Sequence, residues 1–292
     1  MKASKIFKSK SIERDFEINL FAMPETNIKD SLVFLEKESL VYQINNNKNI
    51  SGVIALDKLA KKINKSKGLI IEKNPKKIFY EKYMENSLVE KKQKNKIHPS
   101  SIISHNAFIE DFNVEIGKGT VIEDNVAIKS NTIIGNDCII SSGSIIGGEG
   151  FEVKEVNGKR KVLPHNGKVI ISDNVYVGHN SCIDKGIFGI DTLIKKNSKL
   201  DNLVNIAHCV QIGENCIITA GVIFSGSVKV GNNVFFGPNS IISNGINIGD
   251  GAEISIGSTV VSNVPKNKKV TGYFAIEHAK FLKERIVLMR NK

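Results

Sequence analysis

In the second half of the chain an aliphatic or aromatic residue recurs at every sixth position. The series runs from Ile194 through Leu200, Ile206, Ile212, Ile218, Phe224, Val230, Phe236, Ile242, Ile248 and Ile254 to Val260. An amphipathic α-helix would show a 3.6-residue rhythm and a coiled coil a heptad, so neither accounts for the spacing. The period is that of parallel β-helices, in which each hexapeptide is one short strand and its turn. An earlier block, Ile116, Ile122, Ile128, Ile134, Ile140 and Ile146, keeps the same period. Four residues beyond these key positions stand Thr120, Thr132, Ser144, Ser198, Val204, Val210 and Val222, small or β-branched side chains that fit the narrow inside of a coil. The pattern predicts a mainly β protein built on a left-handed parallel β-helix. Three hexapeptides make the three walls of one coil, and equivalent residues of successive coils stack about 4.8 Å apart.

The places where the rhythm fails divide the chain. Residues 1–96 carry none of it and read as a small α/β domain with a linker. Ser31–Leu35, 52–55 and Gly68–Ile71 are strand candidates; 57–63 and 77–84 are helix candidates, the second just after Pro75. Residues 86–96 are polar and lysine-rich, as a linker would be. Residues 97–265 are the predicted coil, entered at Ile97, Ile103 and Ile109 with a one-residue slip before Ile116. The rhythm breaks over 147–170, where Asn157-Gly158 between alternating residues signals a β-hairpin standing off the prism. It breaks again between Ile183 and Ile194, which implies a second, shorter loop. Pro265 cannot donate to a further ladder, so the coil is expected to end near it. In residues 266–292, Ile276, Ala279, Leu282 and Ile286 keep helical spacing and predict a basic C-terminal α-helix.

Composition narrows the partners. The chain has 292 residues and a formal net charge of +11, which points to anionic partners. Nucleic acid is not favoured, because the basic residues form no reading motif and few aromatic-interleaved runs. Nucleotide phosphates, coenzyme A or an acidic carrier protein fit the charge equally well. No apolar h-region precedes a cleavage site near Met1, and no run of about 18 apolar residues exists, so neither a signal peptide nor a membrane span is expected. Four cysteines fall inside the repeats without metal-ligand spacing, with Cys138 and Cys216 at the small inward position. They read as buried thiols of a cytoplasmic protein. None of the six histidines lies within six residues of another, and neither a metal site nor a bound cofactor is expected.

Stacking arithmetic singles out one histidine. His208 lies two residues past Ile206, on the outward side of its hexapeptide; one coil above it is Gly226 and one further Asn244. A glycine has no Cβ, so a ligand can come close to the Gly226 N–H. Around His208 the sequence Lys199-Leu-Asp201-Asn202-Leu-Val-Asn205-Ile-Ala-His208 resembles the signature of the UDP-3-O-(3-hydroxyacyl)glucosamine N-acyltransferases of lipid A synthesis. So do Ile146-Gly-Gly-Glu-Gly-Phe151, Asn180-Ser-Cys-Ile-Asp184-Lys-Gly186 and Phe224-Ser-Gly226-Ser227. Ser31-Leu-Val-Phe34, and Asn74-Pro75 with Phe79, resemble that family's uridine-binding domain. The resemblance implies a homotrimer with active sites between neighbouring prisms. It implies an acyl group carried as a phosphopantetheine thioester on acyl carrier protein, and the amine of a UDP-linked amino sugar as acceptor. Where the family often carries a second histidine, two coils above the first, this chain has Asn244.

These residues suit N-acyl transfer. An amine attacking a thioester sheds a proton, which a near-neutral imidazole at His208 takes up as general base. The Gly226 N–H is placed to hold the oxyanion. Asp201 either orients His208, as in triad logic, or caps its own corner. Asn202, Phe34, Tyr42, His165 and Asn244 are candidate substrate contacts, with Phe34 either stacking on uracil or filling a core. Two other readings stand beside this one. The chain is alternatively an acetyl-CoA-dependent acetyltransferase acting on a nucleotide sugar for surface polysaccharide, or a non-catalytic trimeric scaffold, for which a histidine stacked beneath a glycine would have no use.

Overall fold

A computed structural model describes residues 1–26, 28–86, 92–272, 275, 277–280 and 282–283. Its body is a three-walled left-handed β-helix in which every wall is a stack of short parallel strands. The first wall takes in the strands of Ile97, Ile116 and Ile134, the second those of Ile103, Ile122 and Ile140, and the third those of Ile109, Ile128 and Ile146. The six-residue key positions all point inward: Ile194, Leu200, Ile206, Ile212, Ile218 and Phe224 are fully buried and form one continuous core. The small positions four residues on are buried too. Three of their hydroxyls are satisfied by corner carbonyls, Thr120 Oγ1 donating to Gly135 O (2.7 Å), Ser144 Oγ to Gly178 O (2.8 Å) and Ser198 Oγ to Gly213 O (2.8 Å), whereas Thr132 Oγ1 is buried without a partner among the described residues. A buried hydroxyl without such a partner would be destabilising.

The corners explain a second regularity. Three residues after most key positions the backbone turns left-handed, as at Asn197, Asn215, Asn233, Asn239, Gly221 and Gly245. Asparagine and glycine tolerate this region best. Phe188, Leu203 and Cys209 adopt it without that advantage.

The register follows the sequence expectation through each irregularity. Ile97 pairs with Ile116, which absorbs the one-residue slip, and Ile134 pairs with Ile171 across the long insert. Ile183 pairs with Ile206 across the shorter loop. The insert is a hairpin of Val153–Val156 and Lys159–Val162 turning at Asn157-Gly158. One boundary differs from the sequence reading. The coil does not end at Pro265: Val264 still bridges Ile248, and Lys269–Val270 pairs with Glu253–Ile254, because the proline falls in a corner where no ladder hydrogen bond is required of it. Of the C-terminal helix, residues 278–280 and 282–283 are helical and exposed, so their part of it does not rest on the prism; the rest of that prediction lies outside the described residues. Half of the linker, residues 87–91, lies outside them as well, while Lys92 sits over the Phe112 ring and Lys94 bridges Phe112.

The N-terminal domain is a five-stranded sheet. In chain order its elements are β1 (Ile12–Arg14), β2 (Leu20–Phe21), β3 (Ser31–Leu35), α1 (Val41–Asn46), β4 (Ile50–Ala55), α2 (Asp57–Ala60), β5 (Gly68–Ile71) and α3 (Pro75–Asn86). The sheet order is β1-β5-β4-β3-β2, parallel except for β1. Alternation along the strands sorts the side chains to two layers. Val33, Leu35, Val53 and Leu69 face the α1–α2 layer, whereas Leu32, Ile54 and Ile70 face α3. The α3 layer is continuous with the prism. Phe79, Tyr80 and Tyr83 surround Phe188 of the shorter loop at ring separations of 5.7, 5.9 and 4.8 Å. Val156 and Leu163 of the insert, with Ile187 and Cys209 of the coil, complete that cluster.

Candidate active site

The chemistry collects along one edge of the prism, where the third wall turns into the first. The insert leaves between Ile145–Gly148 and Val169–Ile171, the shorter loop between Cys182–Asp184 and Thr192–Ile194, and His208 lies between Asn205–Ile206 and Gln211–Ile212. All three connections cross the same edge, so residues far apart in sequence stack there. His208 stands in a column with Lys185 one coil below and Gly226 one coil above, since Ile183, Ile206 and Phe224 pair in turn.

Gly226 is the seat of the imidazole. A Cβ there would lie 2.6 Å from His208 Cε1 and 2.7 Å from Nε2. The sequence suggests that this glycine admits a ligand; in the structure the space of the missing side chain is filled by the ring. The Gly226 N–H itself makes no hydrogen bond among the described residues. Equivalent amides on the next edge are capped by side chains, as Asn232 N is by Asp250 Oδ1. The left-handed turn that follows, at Cys209, is held by Cys209 N donating to Thr192 Oγ1 (2.9 Å) and Ile187 N donating to Cys209 Sγ (3.3 Å). These bonds direct the preceding imidazole along the edge.

The His208 side chain is 12% exposed. Its Nε2 lies 3.6 Å from Glu152 Oε2 of the insert, and its Nδ1 is buried with no hydrogen-bond partner among the described residues. Burial lowers its pKa below the ordinary 6.5; the neighbouring His165 and Lys154 add to that effect and Glu152 opposes it. The imidazole is therefore neutral at neutral pH and able to accept a proton.

Beneath it the insert is tied down by a polar cluster in which His165 and Lys185 are buried and Glu149 reaches the surface. His165 packs against His208 with ring centres 5.3 Å apart. The His165 backbone N–H donates to Glu149 Oε2 (2.8 Å), and Lys185 Nζ pairs with Glu149 Oε1 (2.8 Å). Burial opposes the charge on Glu149, but the hydrogen bonds from His165 and Lys185 outweigh it and hold the carboxyl at about 2. Asp184 goes the other way: burial, with Glu149 adding and His165 opposing, pushes its carboxyl up to about 6. Tyr83 of α3 donates to Pro164 O (2.6 Å) and so joins the N-terminal domain to the same segment.

The edge thus brings together His208, Gly226 and His165. Asn244 continues the column but is exposed; Gly245 N donates to Gly226 O (3.0 Å) one coil above the imidazole. Asp201 and Asn202 are not part of it. They lie on the edge between the second and third walls, Asp201 Oδ1 accepting from Asn202 N (2.7 Å) and Asn202 Oδ1 from His179 N (2.8 Å). Seven residues from His208 is one hexapeptide away, and hence a different corner. The capping role is what Asp201 performs, and the acid facing His208 is Glu152. Phe34 is half-buried against Phe79 (5.1 Å) and Tyr80 (6.0 Å), a packing role. Tyr42 is 80% exposed on α1, in the layer of the sheet away from α3, and does not join the site. The sequence reading leaves out Glu152 and Phe188, and includes Glu149, Asp184 and Lys185 in its signature stretches without giving them a role. Lys185 had a signal: it follows Ile183 at the offset His208 keeps from Ile206. Among the described residues no group of three His, Cys, Asp or Glu side chains is placed to hold a metal ion.

Comparison with known proteins bears on the repeats and the fold. A family model described as bacterial transferase hexapeptide (six repeats) matches residues 113–148 and 191–226, and one described as hexapeptide repeat of succinyl-transferase matches 227–262. The chain is 42% identical over 128 residues to a UDP-3-O-acylglucosamine N-acyltransferase of Caulobacter sp. (strain K31), covering 44% of this chain and 37% of that protein. It is 40% identical over 126 residues to the enzyme of that name from Wolinella succinogenes, covering 43% of this chain and 39% of the relative. The matches therefore span about two-fifths of the relatives' length. Among solved structures, the Francisella novicida UDP-N-acetylglucosamine acyltransferase superposes with a TM-score of 0.51 at 24% identity, over 65% of this chain and 71% of that one, which is a likeness of fold. By its repeats and its β-helix the chain is similar to the bacterial hexapeptide transferases, and over about two-fifths of their length it is similar to the UDP-3-O-acylglucosamine N-acyltransferases.

Proposed function

We propose that this chain is an N-acyltransferase that moves an acyl group from a phosphopantetheine thioester, borne by acyl carrier protein, to the amine of a UDP-linked amino sugar, as in lipid A synthesis. The observation that carries the reading is the neutral imidazole of His208 seated on Gly226, next to an uncapped N–H, at the edge where coil, insert and N-terminal domain meet. The names of the curated relatives support the substrate class.

In this reading the amine nitrogen attacks the thioester carbonyl carbon. The new C–N bond forms as the carbonyl oxygen takes up negative charge, which the Gly226 N–H stabilises by hydrogen bonding. His208 removes the amine proton, and Glu152 beside Nε2 offsets the charge the ring acquires. Collapse of the intermediate breaks the C–S bond, and the imidazolium returns its proton to the departing thiolate. The net charge of +11 suits an acidic carrier and a diphosphate. The working unit is a homotrimer: outward strand positions on two walls carry Ile139, Ile217 and Phe235, and Ile145, Ile223 and Ile241, all exposed in the single chain.

His208→Ala tests the reading. It is expected to leave the protein folded and to lower turnover by roughly 10²–10⁴-fold with acyl carrier protein donors and UDP-amino sugars. Retention of more than about a third of wild-type turnover would refute the base. Activity with acetyl-CoA alone, and none with a long-chain acyl carrier protein, would instead identify an acetyltransferase.

A further inference from the structure

The base reading leaves one question at His208: what orients the ring. Asp201 is on another edge, and Glu152 faces Nε2, the nitrogen beside the Gly226 seat. Nδ1 is buried and unpartnered among the described residues. A second buried, unpartnered nitrogen lies in the same cluster, Nε2 of His165.

The two orphans are complementary. His165 Nδ1 is 3.0 Å from Leu163 O and 3.5 Å from Glu149 Oε2, and both of these can only accept when Glu149 is ionised. The proton of a neutral His165 ring therefore sits on Nδ1, and Nε2 is a bare acceptor. His208 needs the reverse: with Nε2 free to take a proton from substrate, its own proton sits on Nδ1 and requires an acceptor. The ring centres are 5.3 Å apart and the planes are tilted by 58°. Two imidazoles joined by an N–H···N bond of about 2.9 Å have centres about 5 Å apart, close to the separation of this pair. Nothing but hydrogen stands over either ring from its glycine: a Cβ at Gly150 would lie 2.6 Å from His165 Nε2, as one at Gly226 would crowd His208.

We propose that His165 is the positioning residue of His208, accepting the His208 Nδ1–H at its own Nε2 and so fixing the tautomer whose Nε2 acts as base. The proposal rests on His208 being the general base. It gives the insert a function: the hairpin returns a second imidazole to the edge and locks it through Glu149 and Lys185. The charged and titratable groups around the pair are Glu152, Lys154, Glu149, Asp184 and Lys185.

The test uses the full chain and two substitutions. His165→Gln keeps an acceptor oxygen at about the reach of Nε2; His165→Leu keeps bulk and removes the acceptor. His165→Leu is expected to lower kcat by roughly 10- to 1,000-fold, as loss of an orienting partner does, with little change in the KM for the sugar. It should also move the acid limb of the pH–rate profile down, because the His208 imidazolium loses the acceptor that its Nδ1–H has in the wild type. His165→Gln should recover most of the kcat. Nitrogen-15 spectra of wild-type protein labelled at histidine should find His208 protonated on Nδ1, and on Nε2 in His165→Leu. Wild-type kcat in His165→Leu, or an Nε2-protonated His208 in the wild type, would overturn the proposal. If the leucine variant does not fold, the wild-type spectrum decides alone. That spectrum needs no turnover, so failure of the pair is distinguishable from failure of the base assignment, which His208→Ala reports.

Discussion

At the scale of single residues, glycine and histidine act as one unit. The backbone at Gly226 is not left-handed, so alanine is conformationally allowed there; its Cβ would nevertheless meet the His208 ring at 2.6 Å. Gly226→Ala is therefore expected to displace the imidazole, lowering kcat by about 10²-fold while shifting the melting temperature only slightly. Asp201→Asn is the matched control, because Asp201 caps a different corner, and it should stay within about threefold of wild type. Equal losses in the two variants would contradict the placement of both. Two carboxyls of the polar cluster beneath His208 oppose each other in their pH dependence. Glu149 ionises at about 2, below its ordinary 4.5, so its contribution is complete above 4.5 and is lost as pH falls toward 2. Asp184 ionises at about 6 instead of 3.8; its neutral form favours folding, and that contribution is present below 3.8 and lost as pH rises through 6. Asp184→Asn should thus gain stability over wild type as pH rises from about 4 to about 7. Urea midpoints that keep a constant offset across that range would remove the claim.

At the scale of elements, the shorter loop is a clasp. Phe188 adopts a left-handed backbone conformation to enter the aromatic cluster of α3, and its ring touches Phe79, Tyr80 and Tyr83. Such a conformation costs about 1–3 kcal/mol for a non-glycine residue and persists where surrounding packing repays it. Phe188→Ala should weaken the docking of the N-terminal domain by about 3–5 kcal/mol. Limited proteolysis would then cut near residues 87–96 faster than in the wild type, while the β-helix stays resistant. Unchanged digestion would mean that Tyr83 and the insert hold the domain without Phe188.

At the scale of the whole molecule, the prism presents flat walls with apolar columns. Ile223 and Ile241 stand outward on successive coils of the third wall, 40% and 41% exposed, and Ile217 and Phe235 do so on the second. A cyclic trimer buries such columns and closes on itself. Ile241→Glu is expected to give monomers by sedimentation equilibrium, with the far-ultraviolet circular dichroism of the wild type, since the side chain points away from the core. A wild-type protein that is monomeric at micromolar concentration would dispose of the trimer altogether.

The repeat made the coil legible in the sequence, because one buried residue in six leaves a periodic trace whatever else the chain carries. From that period alone came the walls, the register across both insertions and the His208–Gly226–Asn244 column, as well as the inward Cys138 and Cys216. Local turn chemistry likewise revealed the hairpin at Asn157-Gly158. What the period cannot encode is how the excursions fold back. His165 and Glu152 lie in an insert with no repeat, and only the tertiary structure decided that they meet His208, through the shared edge, the Glu149–Lys185 tie and the Tyr83 bond to Pro164. Proximity along the chain misled at Asp201 for the converse reason: in a triangular coil a neighbouring hexapeptide is a different face, and the residue one coil away is the true neighbour.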